Sequence, residues 1–352
     1  MNVKTILSFA ASTIKLFIII LSFTFNSKAV EQNIKSYSDD KGILSLMYHR
    51  FDESKYPSTN IQMDVFKQQI KIIRNLKYNF YDPKDLEKNF HVAKVEKKIL
   101  ITIDDAFSSF YEVAWPYLKE EKIPFILFVS TEAVGKNGYM TWDQIKELEK
   151  ENIAYIGNHS HTHDYLVDLK NDDFVKDINT ASSIFVEQFG YNPIFFSYPF
   201  GEYSNVIKKK ITKNFKFSFG QHSGVIDINK DRYELPRFPI NEKYGDLKRF
   251  KFLINLQPLQ YKILHPVEKY ITKNNPPKFY VEFFNEQKNL NNINCFSDEG
   301  NQWEKSNVDF SKNTLNINFR DKFLFRRGRV NCSLNDNGTW RWFGVQFSIK
   351  QN

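Results

Sequence analysis

Cysteine is scarce in this chain. The 352 residues hold only Cys295 and Cys332, both in the C-terminal quarter, so no cysteine-based metal site can be assembled. An even count in an exported chain suggests a disulfide, with two buried thiols as the alternative. Long apolar runs are also lacking. Leu16–Phe25 is too short to span a bilayer, and no later segment is long enough to cross one. There is no internal repeat and no low-complexity tract. A formal charge of +8 is not concentrated in a basic cluster interleaved with a recognisable nucleic-acid fold, so it does not call for nucleic acid.

What is present begins with a leader. Lys4 gives residues 1–29 a basic start, the apolar run follows, and Ser27-Lys28-Ala29 is a small-x-small cleavage site. This predicts a removable signal peptide and a periplasmic or extracellular product. An uncleaved leader would leave the protein associated with the membrane. Losing the leader's three lysines lowers the charge from +8 to +5, a mild excess. Hydrophobic residues make up 41% and charged residues 26%, ordinary for a folded protein, but 34 phenylalanines is a high count. Most must be core; exposed ones would suit stacking on sugar rings.

Strand and helix patterns alternate from Ile43 to about Ile254, which predicts a parallel α/β architecture, open or closed into a barrel. Expected strands include Gly42–Met47, Ile99–Asp104, Phe125–Val129, Ala154–Gly157 and Ile194–Phe196. Thr141 and Gln144 form a capping box that opens a helix, and Gly190 stops the helix predicted over Asp172–Phe189. The style changes near Pro258. We expect a first domain over 30–257, a linker over 258–277 containing Asn274-Asn-Pro-Pro277, and a β-rich module over 278–352.

Polar groups collect where strands end, the pattern of a site on one rim of a barrel. The strand ending at Asp104 is followed at once by Asp105 and a helical apolar spacing from Phe107. Asp105 as a mere helix cap would explain one carboxylate but not the pair. Three histidines, His159, His161 and His163, follow another strand. If that segment turns, His159 and His163 share a face and His161 points elsewhere. Two imidazoles and a carboxylate leave a position open for water, as catalytic metal sites do. Asp105 is the natural third ligand. A cation there would lower the pKa of bound water, and Asp104, beside it, could take the proton.

With those residues in view, the chain resembles the polysaccharide deacetylases of the NodB-homology, family-four carbohydrate esterase group, over roughly Ile43 to Ile240. Thr102-Ile-Asp-Asp-Ala106 resembles the family's T-F-D-D-G, Asn158–His163 its N-H-[ST]-x-[ST]-H, and Ser197-Tyr-Pro-Phe-Gly201 its R-x-P-[YF]-G. The resemblance implies a distorted (β/α) barrel with a small C-terminal all-β module. It implies a hydrolase that removes N-acetyl groups from a surface or secreted polysaccharide with a divalent metal, most often zinc. By position, Asp104 is the base, Asp105, His159 and His163 are the ligands, and the backbone N–H of Phe200, after Pro199, helps bind the oxyanion.

The chain departs from the pattern twice. Ser197 replaces the arginine that orients the base, and Arg237 is the candidate substitute, as in the exported biofilm-type deacetylases that this chain resembles more closely. The late L-x-H motif of the general acid has no good match. His222 is the candidate acid, and a protonated Asp104 returning its proton is the alternative. Tyr198, Pro199 and His49 are candidate substrate contacts, although tyrosines at strand ends often pack and His49 suits hydrogen-bonded packing. Trp303, Trp340 or Trp342 could bind glycan, with a buried Trp340–Trp342 pair as the plainer reading. An O-acetyl esterase and a non-catalytic glycan-binding or export component are the competing functions.

Overall fold

The protein is described by a computed structural model covering residues 39–351, so the predicted leader lies outside the described residues. Six strands, β1 (Ile43–Tyr48), β2 (Lys98–Asp104), β3 (Phe125–Val129), β4 (Ala154–Asn158), β5 (Phe195–Ser197) and β6 (Phe217–Phe219), pair in chain order and all in parallel. Between them run α1 (Met63–Asn75), α2 (Trp115–Glu120), α3 (Trp142–Glu149), α4 (Asn171–Phe189) and α5 (Asn205–Ile211). Parallel neighbours need crossovers, and the helices supply them.

Residue type along β2 shows why the sheet curls. Ile99, Ile101 and Ile103 join the core under the helices, while Leu100 joins Ile126, Phe128 and Phe219 in a second core on the opposite face. Asp104 ends β2 on that second, interior face together with Thr102. The sheet is an incomplete barrel bridged by one segment: Leu235 pairs with Phe219, and Phe238–Pro239 pairs with β1. Arg237 lies between those two contacts and is fully buried. Local signals hold where they were expected. The Thr141–Gln144 capping box opens α3, and Gly190 ends α4 at φ 80°.

The C-terminal region departs from expectation at its start. Residues 258–277 do not form a linker. Gln257–Pro258 and Tyr270–Ile271 pair in parallel with the last strand, and Ile263–His265 pairs with Phe279–Glu282. The Pro-Pro breaker is only the turn between Tyr270–Ile271 and Phe279–Glu282. Three longer strands, β7 (Ile293–Ser297), β8 (Arg327–Asp336) and β9 (Thr339–Ile349), anchor one sheet, which shares a core with a second sheet of four strands.

Strand β9 lies directly against the barrel. A Cβ at Gly344 would stand 2.4 Å from the Ser223 carbonyl oxygen, so only glycine permits this approach. Trp342 packs on Phe238 and Trp340 on Phe252, and Arg326 donates to both carboxylate oxygens of the buried Glu202 at 3.0 Å. The two indoles therefore serve docking.

Cys295 and Cys332 are disulfide-bonded, facing each other across β7 and β8 and separated by 37 residues. Loop-closure entropy assigns such a link about 4 kcal/mol. Replacing both cysteines with serine should lower the melting temperature by several degrees while leaving the barrel's far-UV signature; an unchanged melting curve would contradict this assignment.

Candidate active site

Asp104 and Arg237 form the floor of the site. Arg237 donates through Nη1 and Nη2 to the two Asp104 oxygens at 2.6 and 2.8 Å. Its remaining donors reach the Gly220 carbonyl at 2.9 Å, the Ser197 hydroxyl at 2.8 Å and the Thr102 hydroxyl at 3.1 Å. Burial pushes the Asp104 carboxyl up, but the Arg237 charge, helped by His159, outweighs it and holds the group at about 2. Ser197 is compact where an arginine would fill the space, so the guanidinium enters from the bridging segment instead.

Asp105 leaves the strand in a left-handed turn, with φ 73° there and 54° at Ala106. It does not cap the following helix, because α2 begins only after a wide π-type turn over Phe110–Ala114. The turn aims the Asp105 carboxylate at the histidine loop after β4. Asp105 Oδ1 lies 3.5 Å from His159 Nε2 and 3.3 Å from His163 Nε2. One ligand atom from each of the three residues fits within a sphere of mutual separations under 4.8 Å.

The donor chemistry suits a divalent cation. His159 Nδ1–H donates to the Ser197 carbonyl at 2.7 Å, which fixes the tautomer and leaves the Nε2 lone pair facing Asp105. Burial, with His163 nearby, pushes the His159 imidazole down to about 4 despite the two aspartates, so it stands neutral as a ligand must. His161 turns away, its Nδ1 2.8 Å from the Thr131 hydroxyl. Ser160 and His163 also have positive φ, as does Phe200 at 59°. Such backbone costs about 1–3 kcal/mol per residue and survives only where the surroundings enforce it.

The other candidates divide. Phe200 packs edge-on to His163 at 4.7 Å and stacks on Tyr165 at 4.2 Å, while Gln346 of β9 donates to its carbonyl at 3.0 Å. Phe200, His49, Asp105, His163 and His222 line one cleft of about 790 Å³. His222 shares that cleft, and its surroundings, burial first and then Lys230, Lys269 and Arg237, push its imidazole down to about 3. Tyr198 is not a substrate contact. Its ring is fully buried among Phe196 and Tyr203, and its hydroxyl donates to the Tyr233 carbonyl at 3.0 Å. Pro199 is likewise buried and contributes only the shape of the turn.

One supporting residue is missing from the sequence reading. Asp177, buried on α4, accepts from the backbone N–H of His161 and of Thr162, both at 2.9 Å, and from the Thr162 hydroxyl at 2.7 Å. It therefore sets the curvature that brings His159 and His163 together. Asp177→Ala should weaken zinc affinity by about 10–100-fold in a competition titration, whereas His161→Ala should leave it near the parent value. Equal loss in both variants would contradict the assignment.

Comparison with known proteins agrees with this geometry. Residues 91–219 match the family model described as polysaccharide deacetylase. The chain is 25% identical over 235 residues to a poly-β-1,6-N-acetyl-D-glucosamine N-deacetylase of Staphylococcus aureus, covering 58% of this chain and 80% of that one. The solved structure of IcaB from Ammonifex degensii aligns with TM-score 0.54 at 25% identity, over 61% of this chain and 97% of that one. The Streptococcus pyogenes deacetylase PplD, solved with acetate, shares the fold with TM-score 0.56 at 21% identity, over 61% and 99%. Over residues 91–219, within a fold shared with solved deacetylases, the chain is similar to the polysaccharide deacetylases, a family of hydrolases.

Proposed function

We propose that this protein removes N-acetyl groups from an exported N-acetylated hexosamine polysaccharide, cleaving a carbon–nitrogen bond and releasing acetate. The observation that carries the reading is the division between two adjacent carboxylates. Asp105 turns out toward two imidazole Nε2 atoms, while Asp104 stays inside, clamped by Arg237. The likeness to a deacetylase of β-1,6-linked N-acetylglucosamine polymer supports the substrate class, and the leader pattern supports export.

Asp105, His159 and His163 would hold a divalent cation, zinc by the nitrogen-rich donor set. When bound, such an ion lowers the pKa of water at the site and polarises the acetyl carbonyl. Asp104 accepts the proton from the attacking water. Arg237 orients that carboxylate and keeps it ionised. The Phe200 backbone N–H, held in its left-handed turn, donates to the developing oxyanion. His222 stands neutral and is not needed as an acid. A carboxyl with a pKa of about 2 holds a proton weakly and passes it readily to the far more basic departing amine.

Zinc-loaded protein should release acetate from β-1,6-linked N-acetylglucosamine oligomers and lose that activity in chelator. Asp104→Asn should lower kcat by about 10²–10⁴-fold with zinc content unchanged. Zinc-loaded parent protein that releases no acetate from the oligomers, or an Asp104→Asn variant with parent activity, would overturn the reading.

Arg237→Ala tests the clamp separately. The largest lowering influence is then gone and burial, which raises the carboxyl, remains, so Asp104 must protonate at higher pH. The acid limb of the kcat profile should move up toward neutrality, and the unpaired buried carboxylate should cost about 3–5 kcal/mol of stability. A profile with an unmoved acid limb would contradict the pairing.

A further inference from the structure

We propose that the C-terminal sheet forms the second wall of the substrate cleft, where Phe296 and Trp303 stack against sugar units flanking the one that reacts. This rests on the deacetylase reading above. It concerns residues 293–349, beyond the segment matched by the family model.

Strand alternation builds this wall. On β7 and β8, Cys295, Val330 and Cys332 point into the module's core and are buried. Phe296 pairs across the sheet with Asn331, so both lie on the opposite face, as do Arg329 and its β9 partner Gln346. That face looks into the same cleft as Asp105 and His163. Trp303 lines it just before Glu304, whose pairing with Ser297 brings the indole beside β7.

Among the described residues, neither ring belongs to a hydrophobic core cluster. Phe296 is 43% and Trp303 45% exposed, on a sheet whose opposite face already supplies the core. Two large aromatics left in solvent, beside the Asn331 amide and Gln346, match what a pyranose ring needs. Its flat C–H face stacks on an aromatic surface, and its hydroxyl and acetamido groups take hydrogen bonds from the polar neighbours. The cleft runs without interruption from this wall to the candidate ligands, so the occupant is the same polymer chain whose reacting unit sits over Asp105. Gln346 joins the two ends physically, since it lines the wall and donates to the Phe200 carbonyl.

The test uses the full zinc-loaded protein and β-1,6-linked N-acetylglucosamine oligomers of two to six units. In the parent, kcat/KM for acetate release should rise with length. The Phe296→Ala/Trp303→Ala variant should flatten that rise through KM, losing roughly three- to tenfold per ring on the hexamer. Phe310→Ala removes an aromatic that is 40% exposed on the module but outside the cleft, and should behave as the parent. Hexamer binding to zinc-loaded Asp104→Asn protein, measured by calorimetry, should weaken when Trp303→Ala alone is added. A double variant with the parent's length dependence, or unchanged hexamer binding on adding Trp303→Ala, overturns the wall. Acetate release absent from the parent itself would instead overturn the deacetylase reading, and the binding measurement would still decide the wall.

Discussion

The buried pair between Asp104 and Arg237 is the constraint on which the site depends. Removing two charges from water costs several kcal/mol for each, and the attraction between them compensates only when every donor is satisfied. Here it is: the guanidinium gives two bonds to Asp104 and others to Thr102, Ser197 and Gly220. The arginine comes from the segment that bridges the last barrel strand to the first. Closing the barrel and charging its interior are therefore one structural event. With Asp104 held inside, the next residue must turn away, and the left-handed backbone at Asp105 carries it to the histidines.

A second layer keeps that arrangement in place. Asp177 bends the histidine loop from the helix side, while β9 reaches over the rim to hold the Phe200 turn by its carbonyl. The close approach of Gly344 to Ser223, and the Arg326 contacts with Glu202, fix the sheet against the barrel. The strained backbone at Asp105, Ser160, His163 and Phe200 is distributed among loops that are each tied down in this way. The C-terminal module thus bears on the chemistry through position.

Much of this was legible because it is local. Alternating strands and helices, the capping box and the Gly190 stop depend on neighbours in sequence, as do the paired aspartates and clustered histidines. The partnership of Arg237 with Asp104 spans 133 residues and was approached only through family likeness. Asp177 gave no signal, since an aspartate on a helix looks like any solvated one until the loop it caps is seen. Tyr198 was misjudged although strand parity held the answer: Ser197 faces the interior, so its neighbour points outward into packing. The stretch 258–277 misled because proline and asparagine punctuate tight turns between strands as readily as they mark linkers.

The division of labour between the two adjacent carboxylates is the claim on which the account turns. Anomalous diffraction from crystals of the zinc-soaked protein measures it directly. The account predicts one strong peak at about 2.0–2.2 Å from Asp105 oxygen, His159 Nε2 and His163 Nε2, with Asp104 off the ion and still paired to Arg237. A peak coordinated by Asp104, or zinc bound away from these three residues, would contradict it.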